Sequence, residues 1–371
     1  MKNNVQQISS APIGRITSVD FFRGFTMFLL IGESTQMYEH INQINNGFFH
    51  FLGTQLSHHQ WHGLHFWDLI QPFFMFIVGV AIPLAVANRK RKGATNRSLL
   101  LHALKRSALL LFFGLALYTS SEDKIIFRLQ NVLAQLSFTY LLAFLIMRWN
   151  WIVQLVLSFA LLLATDLAYR YFPVDGFNQP WEAFRNLGSY VNNWLEGTDK
   201  ASIWASINAF PTAAHTIWGV LCGQLLMSSK TAAQKIKIFV IAGIAGLIIG
   251  YGLDALSVTP IIKKIATSTF VFASGGWAIL ALALSFWIID VKKFNNGSKF
   301  FTVVGMNCIF IYLLFEVGGA HILSDIYKPF ISQVLGWSGH IFTGILISTA
   351  VWASLWYVCY WLYTKKIFFK I

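Results

Sequence analysis

Four of the ten histidines fall within eight residues, in the stretch Ser57-His58-His59-Gln60-Trp61-His62-Gly63-Leu64-His65-Phe66-Trp67-Asp68, and a carboxylate follows three positions after the last of them. Near neutral pH an imidazole serves both as nucleophile and as base, and a neighbouring carboxylate orients it and stabilises its cation. Three uses fit such a cluster. A zinc site wants two histidines four apart on a helix plus a third ligand, and His58 and His62 have that spacing, although the stretch reads as a loop. Histidines also change charge near neutral pH, which is the chemistry of a pH sensor. The third use is acyl or proton transfer by one histidine beside a carboxylate. Residue types alone leave these three open, with ordinary surface histidines as the bland alternative.

Five acids lie in apolar runs: Glu33, Asp68, Asp166, Asp254 and Glu316. An ionisable group inside a hydrocarbon-spanning segment marks a functional site unless water reaches it. Asp166 and Asp254 sit near segment ends and read as solvated termini. Glu33, Asp68 and Glu316 read as facing one cavity. Asp20 and Arg23 are three apart, so they share a helix face and read as a structural ion pair.

The elements that must position these groups follow from composition. The 371 residues are 56% hydrophobic and only 12% charged, with 34 Phe and 14 Trp. A soluble protein carries roughly 25% charged residues. This chain has too little polar surface for a soluble enzyme, a disordered tail or a disulfide-stapled secreted module. Cys222, Cys308 and Cys359 are an odd number without CxxC spacing, which supports neither a disulfide framework nor a metal site. A membrane-spanning helix needs about 20 mostly apolar residues. Ten segments qualify: 19–38, 66–87, 103–120, 129–147, 151–169, 207–228, 236–256, 267–290, 300–318 and 342–363. The stretch 320–337 contains Asp325, Lys328 and Pro329 and reads as interfacial or re-entrant. The expected fold is all-α, a polytopic membrane bundle of about ten helices forming one domain over 1–371. The polar first 14 residues lack a cleavable signal pattern, so the first span is expected to be retained.

Lys and Arg placement sets the orientation. With the N-terminus inside, 20 of the 28 basic residues are cytoplasmic, among them Lys2, Arg15, Arg23, the run Arg89-Lys90-Arg91-Lys92, Lys105, Arg106 and Lys370. The 8 outside are Lys124, Arg128, Arg170, Arg185, Lys200, Lys263, Lys264 and Lys328. Both termini are therefore expected in the cytoplasm of a multi-pass protein of the cell (inner) membrane. The net charge of +13 is then a topology signal and an attraction to anionic membrane lipid, and nucleic acid is not needed to explain it. The long segments 39–65 and 170–206 fall outside.

The residues also carry a resemblance. Arg15-Ile-Thr-Ser-Val-Asp20-Phe-Phe-Arg23-Gly24-Phe-Thr-Met27, Gln55-Leu-Ser-His58-His-Gln-Trp61-His-Gly63 and Phe66-Trp-Asp68-Leu-Ile-Gln-Pro72-Phe-Phe-Met-Phe76-Ile-Val-Gly79 are specific in combination. Asn131-Val-Leu-Ala134, Asn208-Ala-Phe-Pro211-Thr212, Pro260-Ile-Ile-Lys263-Lys264, Gly275-Gly276-Trp277 and Gly305-Met-Asn307 extend the match. Over roughly 15–318 the chain resembles the heparan-alpha-glucosaminide N-acetyltransferase family, above all its bacterial branch with the NagX-type proteins associated with N-acetylglucosamine use. The resemblance implies a transmembrane acyltransferase moving acetyl from cytoplasmic acetyl-CoA to the amine of a glucosamine-type acceptor on the other side. It maps the family's active histidine, three residues before the Trp of H-x-x-W-x-G, to His58, and the aspartate of D-L-x-x-P to Asp68. One departure stands out. The eukaryotic branch carries an Asn near the outer end of the first span, where this chain has Gly32-Glu33-Ser34, a difference that bears on acceptor choice and proton handling.

On this reading His58 is base or acetyl carrier, and Asp68 or Glu33 orients its ring. Asn307 and Asn208 are candidate donors to a substrate or thioester oxygen, or interhelical hydrogen bonds. Trp61 is a stacking surface for a sugar and Glu316 a further acceptor-site group. Arg23, Lys105 and Arg106 are expected to hold the CoA phosphates at a basic mouth, and no metal is called for. Gly79, Gly275, Gly276 and Gly305 would let helices approach closely. A homodimer is a further expectation. The alternative function is a proton-coupled sugar or metabolite transporter using Glu33, Asp68 and Glu316, although the inverted repeats common in such proteins are not evident.

Overall fold

A computed structural model describes residues 16–119, 125–197 and 202–369. Lys2, Arg15, Lys124, Lys200 and Lys370, used above for orientation, lie outside them. Among the described residues the secondary structure is helical and no strand occurs. The helices are α1 (Thr17–Ser34), α2 (Met37–Asn42), α3 (Gly47–Gln55), α4 (Ile70–Arg91), α5 (Asn96–Thr119), α6 (Val132–Ile146), α7 (Trp151–Arg170), α8 (Leu187–Glu196), α9 (Ala209–Met227), α10 (Ala232–Ala255), α11 (Ser268–Ser285), α12 (Ser298–Met306), α13 (Cys308–Glu316), α14 (Gly319–Leu335) and α15 (His340–Thr364). A 3₁₀ turn, Phe66–Leu69, leads into α4.

Each of the ten expected segments is helical. Among the described residues six helices are long and apolar enough to cross a membrane, counting the 3₁₀ lead-in with α4 and the π-turn after α11: Phe66–Arg91, Asn96–Thr119, Trp151–Arg170, Ala232–Ala255, Ser268–Val291 and His340–Thr364. The expected span at 300–318 is instead two helices, α12 and α13, bent by 72°. The break falls at Asn307, whose side chain donates to Ile367 O (3.1 Å) and accepts from Phe369 N (2.9 Å). The chain after α15 thus seats in the kink and satisfies polar groups of the broken helix. Segment 320–337 forms α14, which packs on α15 and exposes Ile322, Ile326, Phe330 and Val334 as one stripe four residues apart.

Burial separates the helices by role. The helix α4 is apolar on every side and lies between two cores. One core takes Phe74, Met75, Val78 and Ile82, the other Phe73, Phe76, Ile77 and Val80. Along α9, buried positions run from Pro211 to Leu226. By contrast α5 and α10 expose Leu101, Phe112, Ile241 and Ile248, as a lipid-facing surface would. Glycine sets the crossing of α4 and α9: a Cβ on Gly79 would stand 2.1 Å from Thr216 O, and one on Gly219 2.1 Å from Phe76 O. Interior polar groups then pair across helices, as Trp218 Nε1 does in donating to Ser158 Oγ at 2.8 Å and Gln71 Nε2 to Gln135 Oε1 at 3.0 Å. This packing holds the start of α4, and with it Asp68, in a fixed place.

Candidate active site

Asp68 organises the histidine loop. It sits in the 3₁₀ turn before α4, where free backbone N–H groups favour a carboxylate. Its Oδ2 accepts from His65 N (2.9 Å) and His59 N (3.1 Å), and its Oδ1 meets His58 Nδ1 at 2.9 Å. The carboxylate is 1% exposed, whereas the His58 side chain is 38% exposed. Gly63, at φ 140°, turns the loop back, and a Cβ there would lie 2.5 Å from His59 Nε2.

The second wall is the segment between α10 and α11, which carries Lys263 and Lys264. Gly63 N donates to Ile261 O (2.9 Å), Lys264 Nζ to Gln60 O (2.6 Å), and both Ala205 N (2.9 Å) and Asn208 Nδ2 (3.0 Å) donate to Lys264 O. These bonds place Lys263 Nζ 3.5 Å from Asp68 Oδ1 and 3.2 Å from His58 Nδ1. Its side chain is 7% exposed. The Trp204 ring completes the wall, 5.2 Å from the His58 ring and 5.5 Å from Lys263 Nζ.

Electrostatics keep the ring neutral. Burial lowers the proton affinity of His58; the bond to Asp68 opposes this, and the Lys263 charge adds to it. Burial pushes Lys263 down to about 8, against the pull of Asp68 and Glu33. When Nδ1–H donates to Asp68, the lone pair sits on Nε2. Among the described residues nothing hydrogen-bonds to Nε2. A neutral imidazole with a carboxylate at one nitrogen and an uncommitted lone pair at the other is the arrangement of a base or nucleophile.

The remaining expected residues divide into near and far. Glu33 Oε1 accepts from Trp67 Nε1 at 2.8 Å, one residue from Asp68, so Asp68 and not Glu33 orients His58. Glu316 interacts through charge with Glu33 and is hydrogen-bonded by Tyr312. Asn208 lies behind the lysine segment with a buried Oδ1 that has no partner among the described residues. The indole N–H of Trp61 is committed to Trp181 O at 2.7 Å. Asn307 clamps the end of the chain and is not brought to this cluster. Arg23 pairs with Asp20 at 3.1 Å; Arg106 lies over Tyr140, and Lys105 is exposed. Arg23 packs with α1 against α12, and Lys105 and Arg106 with α5 against α6, so these cations do not form one patch by shared helix packing. The buried Nε atoms of Arg23 and Arg106 have no partner among the described residues and would each suit a phosphate oxygen.

Two expectations need correction. Asp254 and Asp166 are not merely solvated: Asp254 Oδ1 meets His62 Nε2 (2.7 Å) and Ile261 N (2.9 Å), while Asp166 pairs with Arg170 (2.7 Å). Helix-end carboxylates latch the adjoining loops here. His58 and His62 therefore point to different carboxylates. Lys263 was missed as a site residue, although two adjacent lysines on the outer side run against the inside bias of the other basic residues. A cleft of about 760 Å³ runs past the far side of the loop, from Gln55, Leu64 and His65 along Phe25 and Leu284 to Asn296 and Ser298, without being lined by His58.

Sequence comparison adds lineage to this geometry. Heparan-alpha-glucosaminide N-acetyltransferase of Homo sapiens is 25% identical, over 98% of this chain and 61% of its own length. The Mus musculus protein of the same name is 23% identical, over 96% and 60%. The chain thus spans about three fifths of the length of the curated relatives it matches. The family model described as heparan-alpha-glucosaminide N-acetyltransferase, catalytic, matches residues 15–258, well over half of the chain and inclusive of His58, Asp68 and Glu33. The chain belongs to the heparan-alpha-glucosaminide N-acetyltransferase family.

Proposed function

We propose that this membrane protein transfers acetyl from acetyl-CoA to the amine of a glucosamine-type acceptor, with His58 Nε2 as the reacting nitrogen. The observation that carries the reading is the 2.9 Å contact between His58 Nδ1 and buried Asp68, which leaves Nε2 uncommitted beside a half-open surface. His58 accepts the acetyl group, Asp68 holds the ring and its tautomer, and Trp204 and Trp67 wall it. Glu33, tied to Trp67, is placed to attract the acceptor's ammonium group, with Glu316 behind it. On the orientation argued from basic residues, CoA enters from the cytoplasmic face of the cell membrane, where Arg23, Lys105 and Arg106 would meet its phosphates. The transporter reading asks Asp68 to exchange protons freely. Its two backbone N–H bonds, the histidine and the ammonium weigh against that.

The test is His58→Ala in purified, membrane-extracted protein, assayed for CoA release from acetyl-CoA with glucosamine as acceptor. Turnover is expected to vanish while the unfolding temperature holds. Unchanged turnover removes the proposed chemistry.

A further inference from the structure

Two groups converge on one nitrogen. His58 Nδ1 lies 2.9 Å from Asp68 Oδ1 and 3.2 Å from Lys263 Nζ, and a neutral ring nitrogen either donates or accepts. With a proton on Nδ1 the ring donates to Asp68, and Lys263 can bond only the carboxylate, 3.5 Å away. Without that proton Nδ1 repels the carboxylate and accepts from the ammonium. Three side chains thus support two bonding patterns that differ in the place of one proton.

Resting on the reading that His58 carries acetyl on Nε2, we propose that Lys263 is a general acid that takes Nδ1 over from Asp68 once the ring is acetylated and returns its proton when the acetyl group leaves. In the first half, the thioester C–S bond breaks as the Nε2–C bond forms, and the Nδ1 proton ends on the departing sulfur. The neutral N-acetylimidazole has a bare Nδ1, which a carboxylate cannot stabilise and an ammonium can. In the second half, the acceptor's N–C bond forms as Nε2–C breaks. Lys263 gives a proton to Nδ1 and recovers one from the acceptor nitrogen, so every group ends as it began. Protonating Nδ1 makes the imidazole a neutral leaving group rather than an anion, which is where the rate gain arises.

The surroundings suit this task. The backbone under Lys263 is fixed, because its carbonyl accepts from Ala266 N (2.9 Å) and the neighbouring Lys264 carbonyl is held from two sides, and the side chain itself is only 7% exposed. The charged and titratable groups facing it are His58 on the loop, Asp68 on the 3₁₀ turn and Glu33 on α1, with Lys264 beside it on its own segment. Burial brings its proton affinity down to about 8, so the ammonium is within reach of losing and regaining a proton near neutral pH.

The test separates the two half-reactions. Protein is incubated with acetyl-CoA alone, acetyl on the peptide bearing His58 is read by mass spectrometry, and glucosamine is then added and loss of label is timed. Label is expected on wild type, Lys263→Arg and Lys263→Met alike. Discharge slows about 10²-fold in Lys263→Met, the size of a lost proton-transfer contribution, and stays slow in Lys263→Arg, whose guanidinium keeps the charge but does not give up a proton. Wild-type discharge falls as pH rises past about 8, and the residual discharge of Lys263→Arg lacks that fall because arginine does not titrate in this range. Discharge from Lys263→Met at the wild-type rate overturns the inference, as does an alkaline fall shared by wild type and Lys263→Arg. Should Lys263→Met not fold, the Lys263→Arg profile decides alone. Turnover that needs His58 yet never labels it overturns the inference and leaves His58 as a base, whereas full turnover in His58→Ala strikes the proposed function itself.

Discussion

Replacing Asp68 by Asn keeps the shape of the side chain and exchanges one oxygen for an amide NH₂. In the native protein the two oxygens receive His58 Nδ1, His59 N, His65 N and Lys263 Nζ. An Asn has one acceptor for these four. Turned one way, its NH₂ faces the two loop amides and the loop loses its anchor. Turned the other way, it faces His58 and Lys263, leaves a buried ammonium without its anion and forces the ring proton onto Nε2. Breaking a buried pair by removing one partner costs about 3–5 kcal/mol. In hydrolytic triads, placing the proton on the wrong ring nitrogen by an Asp-to-Asn change lowers turnover by about 10⁴. Asp68→Asn is therefore expected to lower acetyl transfer on the order of 10³–10⁴-fold, together with the unfolding temperature. The assay is CoA release with glucosamine, run beside thermal unfolding in the same detergent. Turnover within about tenfold of wild type refutes the claim that Asp68 sets the reactive tautomer.

The pH dependence has a sign. Burial depresses the proton affinity of His58 below the ordinary 6.5, so a neutral ring, and activity with it, persists as pH falls through that value and is lost only further down. The unfolded chain binds that proton first, so the same shift withdraws stability as pH drops. An acidic limb of kcat/KM at or above 6.5 contradicts the burial argument. At the crossing of α4 and α9, Gly79→Val puts a Cβ 2.1 Å from the Thr216 backbone oxygen, and separating the helices is expected to cost about 1–3 kcal/mol. A Gly79→Val protein that unfolds at the wild-type temperature refutes the close packing.

Much of this site was legible because its parts are local. His58 and Asp68 stand ten residues apart on one turn of chain, and a histidine loop running into an apolar helix invites that pairing. Glu33 was legible as an acid inside an apolar segment. Its partner, the Trp67 indole, was not, because an indole in a membrane protein reads first as an interface anchor. Asn307 shows the opposite error. An amide in an apolar run invites a role in binding, yet its oxygen and nitrogen hold backbone sixty residues away at Ile367 and Phe369.

The amino-acid sequence by itself determined the class of fold and the helical segments, because about 20 apolar residues in a row leave the backbone no other way to satisfy its polar groups. The family resemblance carried by its motifs also singled out His58 as the proposed reacting histidine. Only the tertiary structure decided what surrounds that histidine. Lys263 lies 205 residues away from it, on a segment held by Gln60, Ala205 and Asn208, and no pattern along the chain encodes such a meeting. Helix-helix packing decides it, through contacts between residues remote in sequence, and the charge balance around one ring nitrogen follows from that packing.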